Sequence, residues 1–225
     1  MSRHIYGIMG DIEQMKPLED AIMAKNQYLK GKMMEPSPTV QFEKWFQEIL
    51  LTGTPYPEAC CVSTLSPEGY PEGRMVLMKS FDERGFVFFS NRDSVKGHSL
   101  EGCPRASLTF YWQPLHRQVR ILGEVELAAT EEADAYFSSR PRTSQLGAWA
   151  SLQSRPLKNR GIFEDRLKKI TLKFKGKKVP RPPEWVGYRI IPRKIEFWQE
   201  RPHRLHDRFC YIQTPKGWKI QRLYP

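Results

Sequence analysis

The chain has 225 residues and a formal net charge of +11, with 40% apolar, 12% aromatic and 27% charged side chains. That length allows one sizeable domain or two small ones, and the composition excludes a disordered or fibrous chain. The positive charge admits nucleic acid, an anionic membrane surface or phosphorylated small molecules as partners, beside the plainer reading of a basic surface.

Residues 1–36 are polar, methionine-rich and weakly patterned. They read as a mobile arm with one helix from Pro17 to Tyr28, closed by Glu35-Pro-Ser-Pro38. The N-terminus lacks an apolar stretch of signal-peptide length, and no window approaches the roughly 18 apolar residues of a membrane span. Cys60, Cys61, Cys103 and Cys210 show no C-x-x-C spacing, so they read as reduced packing residues of a cytoplasmic protein. Val40, Phe42, Trp45, Phe46, Ile49 and Leu50 recur at helical spacing and predict an amphipathic helix.

From about Ala59 the pattern changes to short strands and tight turns. Strands are expected at Cys61–Leu65, Arg74–Lys79, Phe86–Ser90, Ala106–Trp112 and Gln118–Leu122, with Gly, Pro and Asp at the joins. Next, Thr130 is expected to cap a helix whose first turn holds Glu131 and Glu132, where the helix dipole favours acids. A second helix begins at Pro141, and a third runs from Phe163 to Phe174 with Leu167 and Ile170 inward. Strands return at Val186–Ile191, Lys194–Trp198, Asp207–Ile212 and Trp218–Leu223. This order predicts a mainly β, antiparallel barrel with peripheral helices, as a single domain over residues 37–225.

No G-x-G-x-x-G, phosphate-binding P-loop, G-x-S-x-G or H-E-x-x-H motif occurs, and the five histidines do not cluster at metal spacings. A zinc enzyme, a P-loop ATPase and a Rossmann dehydrogenase are thereby disfavoured, and no metal is expected. The chemistry instead points to cations bedded in strands. Arg74 and Lys79 bracket the apolar Met75-Val-Leu-Met78, and a period of two puts them on opposite faces. Such cations ordinarily snorkel to solvent, but they also suit a phosphate clamp. Ser94 reads as a helix cap with Lys96 in the first turn, a natural phosphate seat. Tyr136, Arg140 and Ser144, at i, i+4 and i+8, can line one side of a helical corner and grip a second phosphate. Arg204, His206 and Arg208 alternate along a segment read as extended. One face would then carry several cations, which repel unless an anion or polar ligand sits there.

These residues carry a specific resemblance. Arg74-Met-Val-Leu-Met-Lys79, Gly85-Phe-Val-Phe-Phe-Ser90-Asn, Phe110-Tyr-Trp, Arg117-Gln-Val-Arg120, Tyr136-Phe-Ser-Ser-Arg140-Pro, Ser144-Gln-Leu-Gly, Gln153-Ser154, Glu196-Phe-Trp198-Gln and Arg204-Leu-His-Asp-Arg208 resemble, in order and spacing, the pyridoxine (pyridoxamine) 5'-phosphate oxidase family. The ending Arg222-Leu-Tyr-Pro225 is also similar, and the likeness runs from about Tyr28 to the end. It implies an FMN-binding split β-barrel, Greek-key-like, that forms a homodimer with FMN at the interface. It implies oxidation of pyridoxine 5'-phosphate and pyridoxamine 5'-phosphate to pyridoxal 5'-phosphate, with dioxygen as acceptor and hydrogen peroxide as product.

Carried over by position, Arg74, Met75, Val76, Leu77, Lys79, Phe89, Ser90, Lys96, Gln118, Gln153, Ser154, Trp198 and Arg208 would hold FMN. Lys79, Tyr136, Arg140 and Ser144 would grip the substrate phosphate, and Arg204 and His206 would lie against its pyridine ring as the catalytic pair. Lys25 and Tyr28 would close over the substrate. The chain departs from the family at Val95, where an arginine is common, and at Lys25, where a lysine keeps the charge of an arginine but loses its fork. Two rivals remain: a split-barrel reductase or binding protein, against which Tyr136, Arg140, Arg204 and His206 argue, and a nucleic-acid-binding protein suggested by the Lys168–Lys178 cluster. No nucleic-acid module appears, and neither nucleic acid nor membrane is an expected partner.

Overall fold

The computed structural model describes residues 34–225 and, before them, only Leu29, Gly31 and the two-residue strand β1 (Arg3–His4). The helix expected over Pro17–Tyr28, with Lys25 and Tyr28, lies outside the described residues. Helix α1 (Pro38–Leu50) starts where Ser37 accepts a hydrogen bond from the Val40 amide and Pro38 occupies the first turn. Its apolar stripe of Phe42, Trp45, Phe46 and Ile49 is fully buried, as the helical spacing predicts. Phe42 meets the edges of Phe81, Phe86 and Phe110 at 4.9–5.3 Å between centroids. Truncating it to alanine would cost about 3–5 kcal/mol. Leu29 and Met34 pack into this same core.

The barrel consists of β2 (Ala59–Leu65), β3 (Pro71–Asp82), β4 (Gly85–Asn91), β5 (Arg105–Trp112), β6 (Arg117–Leu127) and β7 (Trp185–Gln199). Around the ring the order is β3-β2-β5-β6-β7-β4 and back to β3, with every pair antiparallel. Closure removes the free edges an open sheet would expose. Along β2 and β5 buried and open positions alternate, the signature of one face turned to a core. β8 (Asp207–Thr214) pairs with the second half of β7, and β9 (Gly217–Leu223) pairs with β8.

Two expected strands, Val186–Ile191 and Lys194–Trp198, are one continuous β7. Pro192 does not break it because the β6–β7 register shifts there: Leu122 pairs with Lys194 and Gly123 with Pro192, leaving Arg193 as the extra residue. A bulge is where a strand tolerates a residue without an N–H.

Helix α2 (Val95–Gly102) bridges β4 and β5, while α3 (Thr130–Ser139), α4 (Arg142–Ala150) and α5 (Arg160–Lys173) lie between β6 and β7 in the chain. Thr130 is the first residue of α3 rather than its cap: Ala129 holds that position and makes no side-chain bond, so the acids Glu131 and Glu132 carry the helix start. Asn159 caps α5, which therefore begins before Phe163. Leu167 and Ile170 of α5 are half-buried against a second apolar cluster of Phe137, Leu146, Phe174, Val179 and Trp185. Arg189 of β7, 2% exposed, reaches Glu132 at 2.7 Å and Asp82 at 3.2 Å, pinning α3 to the barrel. Among the described residues, no helix is long and apolar enough to cross a membrane.

Candidate active site

One cleft of about 290 Å³ opens where β3, β4, α2 and the end of α3 converge. Met75, Val76, Leu77 and Lys79 line it from β3, and Phe89 and Ser90 from β4. Lys96 enters from the first turn of α2, Tyr136 and Arg140 from α3 and its end, Gln153 from the loop after α4, and Trp185 from the start of β7. Met75 and Leu77 expose apolar surface on the strand, 66% and 37% open.

Ser94 caps α2 by accepting from the Gly97 amide, as expected, and that turn delivers Lys96. The Lys96 ammonium donates to Gln153 Oε1 at 2.8 Å, Ser90 Oγ at 2.9 Å and Ser94 Oγ at 3.2 Å. Ser90 Oγ also donates to Gln153 Oε1 at 3.1 Å. These partners are uncharged. Burial, with the Arg74 guanidinium adding to it, lowers the Lys96 pKa to about 8. Arg74 itself turns away, donating to Thr64 Oγ1, the Glu72 carbonyl and the Glu72 carboxylate, and acts on the cleft through its field.

Lys79 joins Met75 and Leu77 in the cleft lining and Arg74 does not line it, in keeping with the expected opposite faces. The β3–β4 register shifts between Met78 and Ser80, so Lys79 is an extra residue and strict alternation ends there. Lys79 is 8% exposed, lines the cleft and lies 3.3 Å from the Glu58 carboxylate. At the helical corner Gln145 donates to the carbonyls of Phe137 and Ser138, fastening α4 to the end of α3. Tyr136 and Arg140 share the cleft, whereas Ser144 stands half-buried on α4 outside its lining. Ser154 also lies outside it, with a left-handed φ of 70° next to the cleft residue Gln153.

A second cleft, about 450 Å³, is lined by His116, Glu200, Arg201, Pro202, His203, Arg204 and His206 and shares no residue with the first. The expectation of one extended face for Arg204, His206 and Arg208 is corrected here. Pro202–Arg204 form a tight 3₁₀ turn, His203 and Arg204 have φ of 58° and 62°, and β8 starts only at Asp207. The turn aims Arg204 and His206 into this cleft while Arg208 joins the sheet. His206 packs on Trp198 at 4.6 Å between centroids, and its Nδ1 accepts from the Arg201 amide.

Of the three, Arg208 already has a carboxylate partner in the sheet. Buried Asp207 binds Arg201 at 2.6 Å and also Arg222, and buried Glu196 binds Arg208 at 2.8 Å and faces Arg120 at 3.5 Å. Gln118, Trp198 and Arg208 stand side by side across β6, β7 and β8, each the register partner of the next. Among the described residues, no grouping of His, Cys, Asp or Glu could hold a metal ion.

Sequence reasoning gave no role to Glu58, Trp185, Glu196 and Asp207, although Glu196 and Asp207 stand inside motifs that carry the resemblance. The acids are partners of cations, from six residues away for Asp207 and Arg201 to 21 for Glu58 and Lys79. Trp185 follows Pro182-Pro183-Glu184, and its spacing offers nothing to separate it from an ordinary core tryptophan.

Residues 46–174 match the family described as pyridoxamine 5'-phosphate oxidase, and residues 185–225 match the pyridoxine 5'-phosphate oxidase C-terminal dimerisation region, which supports a homodimer. A pyridoxine/pyridoxamine 5'-phosphate oxidase of Gloeothece citriformis is 50% identical over 210 residues, covering 91% of this chain and 98% of its own. One of Synechocystis is 50% identical over 202 residues, covering 88% of this chain and 94% of its own. Among solved structures, PhzG from Burkholderia lata, in complex with tetrahydrophenazine-1-carboxylic acid, superposes with a TM-score of 0.82 at 27% identity, covering 88% of this chain and 98% of that one. A pyridoxamine 5'-phosphate oxidase-related, FMN-binding protein from Nostoc punctiforme shares the fold with a TM-score of 0.68 at 17% identity, covering 85% of this chain and all of that one.

Proposed function

The chain belongs to the pyridoxamine 5'-phosphate oxidase family, and from that premise we propose that it oxidises pyridoxine 5'-phosphate and pyridoxamine 5'-phosphate to pyridoxal 5'-phosphate, with FMN as cofactor, dioxygen as acceptor and hydrogen peroxide as product. The observation that carries this reading is the convergence of Lys79, Lys96 and Arg140 in one cleft beside an exposed apolar strand.

The residues fit FMN. A phosphate ester needs a cation and hydroxyl donors, and Lys96, Ser90 and Ser94 stand together with no carboxylate bound to the lysine. A flat, largely apolar ring needs an apolar ledge, and Met75 and Leu77 expose one. When bound, FMN supplies the two-electron acceptor that no side chain here can provide.

The chain's own contribution is binding and orientation. Lys79, Tyr136 and Arg140 would hold the substrate phosphate, with Ser144 reaching in from α4. Arg204 and His206 would meet the pyridine ring, with Arg204 stabilising charge that develops on ring substituents and His206 accepting or donating a hydrogen bond. His206 Nδ1 is already occupied by the Arg201 amide, so its other ring nitrogen would face the substrate. Gln118, Trp198 and Arg208 would contribute to the flavin from the outer sheet face.

The two clefts share no residue, so the homodimer would complete each site: the first cleft of one protomer meeting the 198–208 segment of its partner. Lys25 and Tyr28 would close over the substrate. Residues 1–36 form the arm and 37–225 the single FMN-binding domain in this reading. Four free cysteines support a cytoplasmic location.

The test is direct. The purified protein should be yellow, with flavin absorbance, and should release peroxide when given pyridoxine 5'-phosphate. A protein that stays colourless after incubation with FMN defeats the reading.

A further inference from the structure

We infer that Asp207 is a positioning residue for His206: by holding Arg201 it keeps the His206 ring in the tautomer that offers Nε2–H to the substrate's ring. The inference deepens the function proposed above and rests on it. Asp207 opens β8 opposite Gln199 of β7 and is fully buried. Both of its carboxylate oxygens are engaged. Oδ2 accepts from Arg201 Nε at 2.6 Å, and Oδ1 accepts from the Arg222 guanidinium of β9. The first of these bonds closes the loop that carries residues of the second cleft, because Arg201 stands just before the Pro202–Arg204 turn and Asp207 just after His206.

The loop needs such a closure. His203 and Arg204 hold left-handed φ angles of 58° and 62°, a backbone that residues with side chains keep only when their surroundings impose it. On one side the main chain is fastened as far as Glu200, whose amide donates to the His116 carbonyl at 2.9 Å. On the other side β8 begins at Asp207. Between them the Leu205 amide donates to the Pro202 carbonyl at 3.2 Å and tightens the turn. The Arg201–Asp207 pair joins the two fastened ends.

Arg201 also fixes the ring. Its amide donates to His206 Nδ1 at 3.2 Å. An amide N–H can only donate, so Nδ1 is the bare nitrogen and neutral His206 carries its proton on Nε2. Trp198 packs against the same ring at 4.6 Å between centroids and sets its plane. His206 therefore meets the substrate as a hydrogen-bond donor, toward an oxygen or the nitrogen of the pyridine ring, and not as a base that takes a proton. Without the hold of Asp207 on Arg201, the amide would lose its direction and the ring proton would divide between the two nitrogens.

The experiment follows His206 by nitrogen NMR in the FMN-loaded enzyme, ring-labelled at its five histidines, with His206→Gln assigning the signals. Neutral wild-type His206 should show a bare Nδ1 and a protonated Nε2. Arg201→Ala and Asp207→Asn should each move the signals toward a mixture of tautomers. Each should also lower kcat for pyridoxine 5'-phosphate about tenfold with KM changed less than about threefold, since the phosphate contacts lie in the other cleft. Arg222→Met removes only the β9 partner and should keep the wild-type His206 signals. If Asp207→Asn does not fold, Arg201→Ala carries the test, its fold and flavin content verified by circular dichroism and absorbance. The inference is overturned if wild-type His206 is protonated on Nδ1, or if folded Arg201→Ala keeps the wild-type tautomer or the wild-type kcat. It is equally overturned if Arg222→Met disturbs the ring as much as Arg201→Ala does. A wild-type enzyme inactive on pyridoxine 5'-phosphate would defeat the proposed function instead, and the tautomer would then be judged by the spectra alone.

Discussion

Lys96 in the first cleft and the arginines of the C-terminal segment are held in opposite ways. In the first, Lys79 faces the Glu58 carboxylate, but Lys96 donates to Ser90, Ser94 and Gln153, so its positive charge is positioned by neutral partners. In the C-terminal segment, Arg201, Arg208 and Arg222 are bound to the buried carboxylates of Glu196 and Asp207. The arrangement at Lys96 keeps charge in reserve for an anion. The second spends it on fixing a strand and a turn, from which Arg204, on a left-handed backbone, and His206 enter the cleft. On the proposed function, the anionic ends of cofactor and substrate would belong to the first cleft, and the ring chemistry to the second.

Variants that disable one side test this division. Arg204→Ala should reduce kcat/KM at least tenfold, about 1.4 kcal/mol of transition-state stabilisation, without loss of bound flavin. Steady-state kinetics with full flavin absorbance would establish it, and full activity would remove Arg204 from the site.

Lys96→Met should act on the cofactor, raising the FMN dissociation constant roughly tenfold, of the order expected for a lost charge-assisted hydrogen bond. Because burial and Arg74 depress the Lys96 pKa to about 8, the unliganded protein loses this charge as pH rises through that value. Wild-type FMN affinity should therefore fall between about pH 7 and 9, and the fall should flatten in Lys96→Met. Fluorescence titration of FMN at several pH values measures both, and a wild-type affinity that does not change with pH would separate Lys96 from the flavin phosphate.

The smallest effect is expected at Lys79, already paired with Glu58. In Lys79→Ala, KM for pyridoxine 5'-phosphate should rise about fivefold, an ion-contact loss of about 1 kcal/mol, with kcat nearly unchanged. An unchanged KM would take Lys79 out of the phosphate grip.

The barrel was legible because its information is local: period-two strands, turn residues at their joins, and the 3.6-residue stripe of α1. What sequence patterning misread were interruptions of period. A bulge at Lys79 and another at Arg193 each add one residue, which ends strict alternation in one strand and lets two expected strands run on as one. The left-handed residues His203 and Arg204 likewise broke the alternation assumed for 204–208. Neither residue type announces such a backbone.

Of the site, the positions matching the family's motifs could be named in advance, and most of the phosphate-binding candidates do converge. Their partners could not: Glu58, Glu196, Asp207 and Trp185 matter only through neighbours that folding supplies. Nor could any pattern reveal that the named residues divide between two clefts with no lining residue in common.

That division is tested most directly by complementation. One variant carries Lys79→Ala with Arg140→Ala, crippling the first cleft; the other carries Arg204→Ala, crippling the second. If each site joins the first cleft of one protomer to the second of its partner, a mixed two-fold dimer contains one intact site. Co-expression in equal amounts should then restore about one quarter of wild-type activity, half the dimers being mixed with one of two sites whole. Activity no higher than the average of the two parent variants would contradict the account, because it would place both clefts of a working site in a single chain.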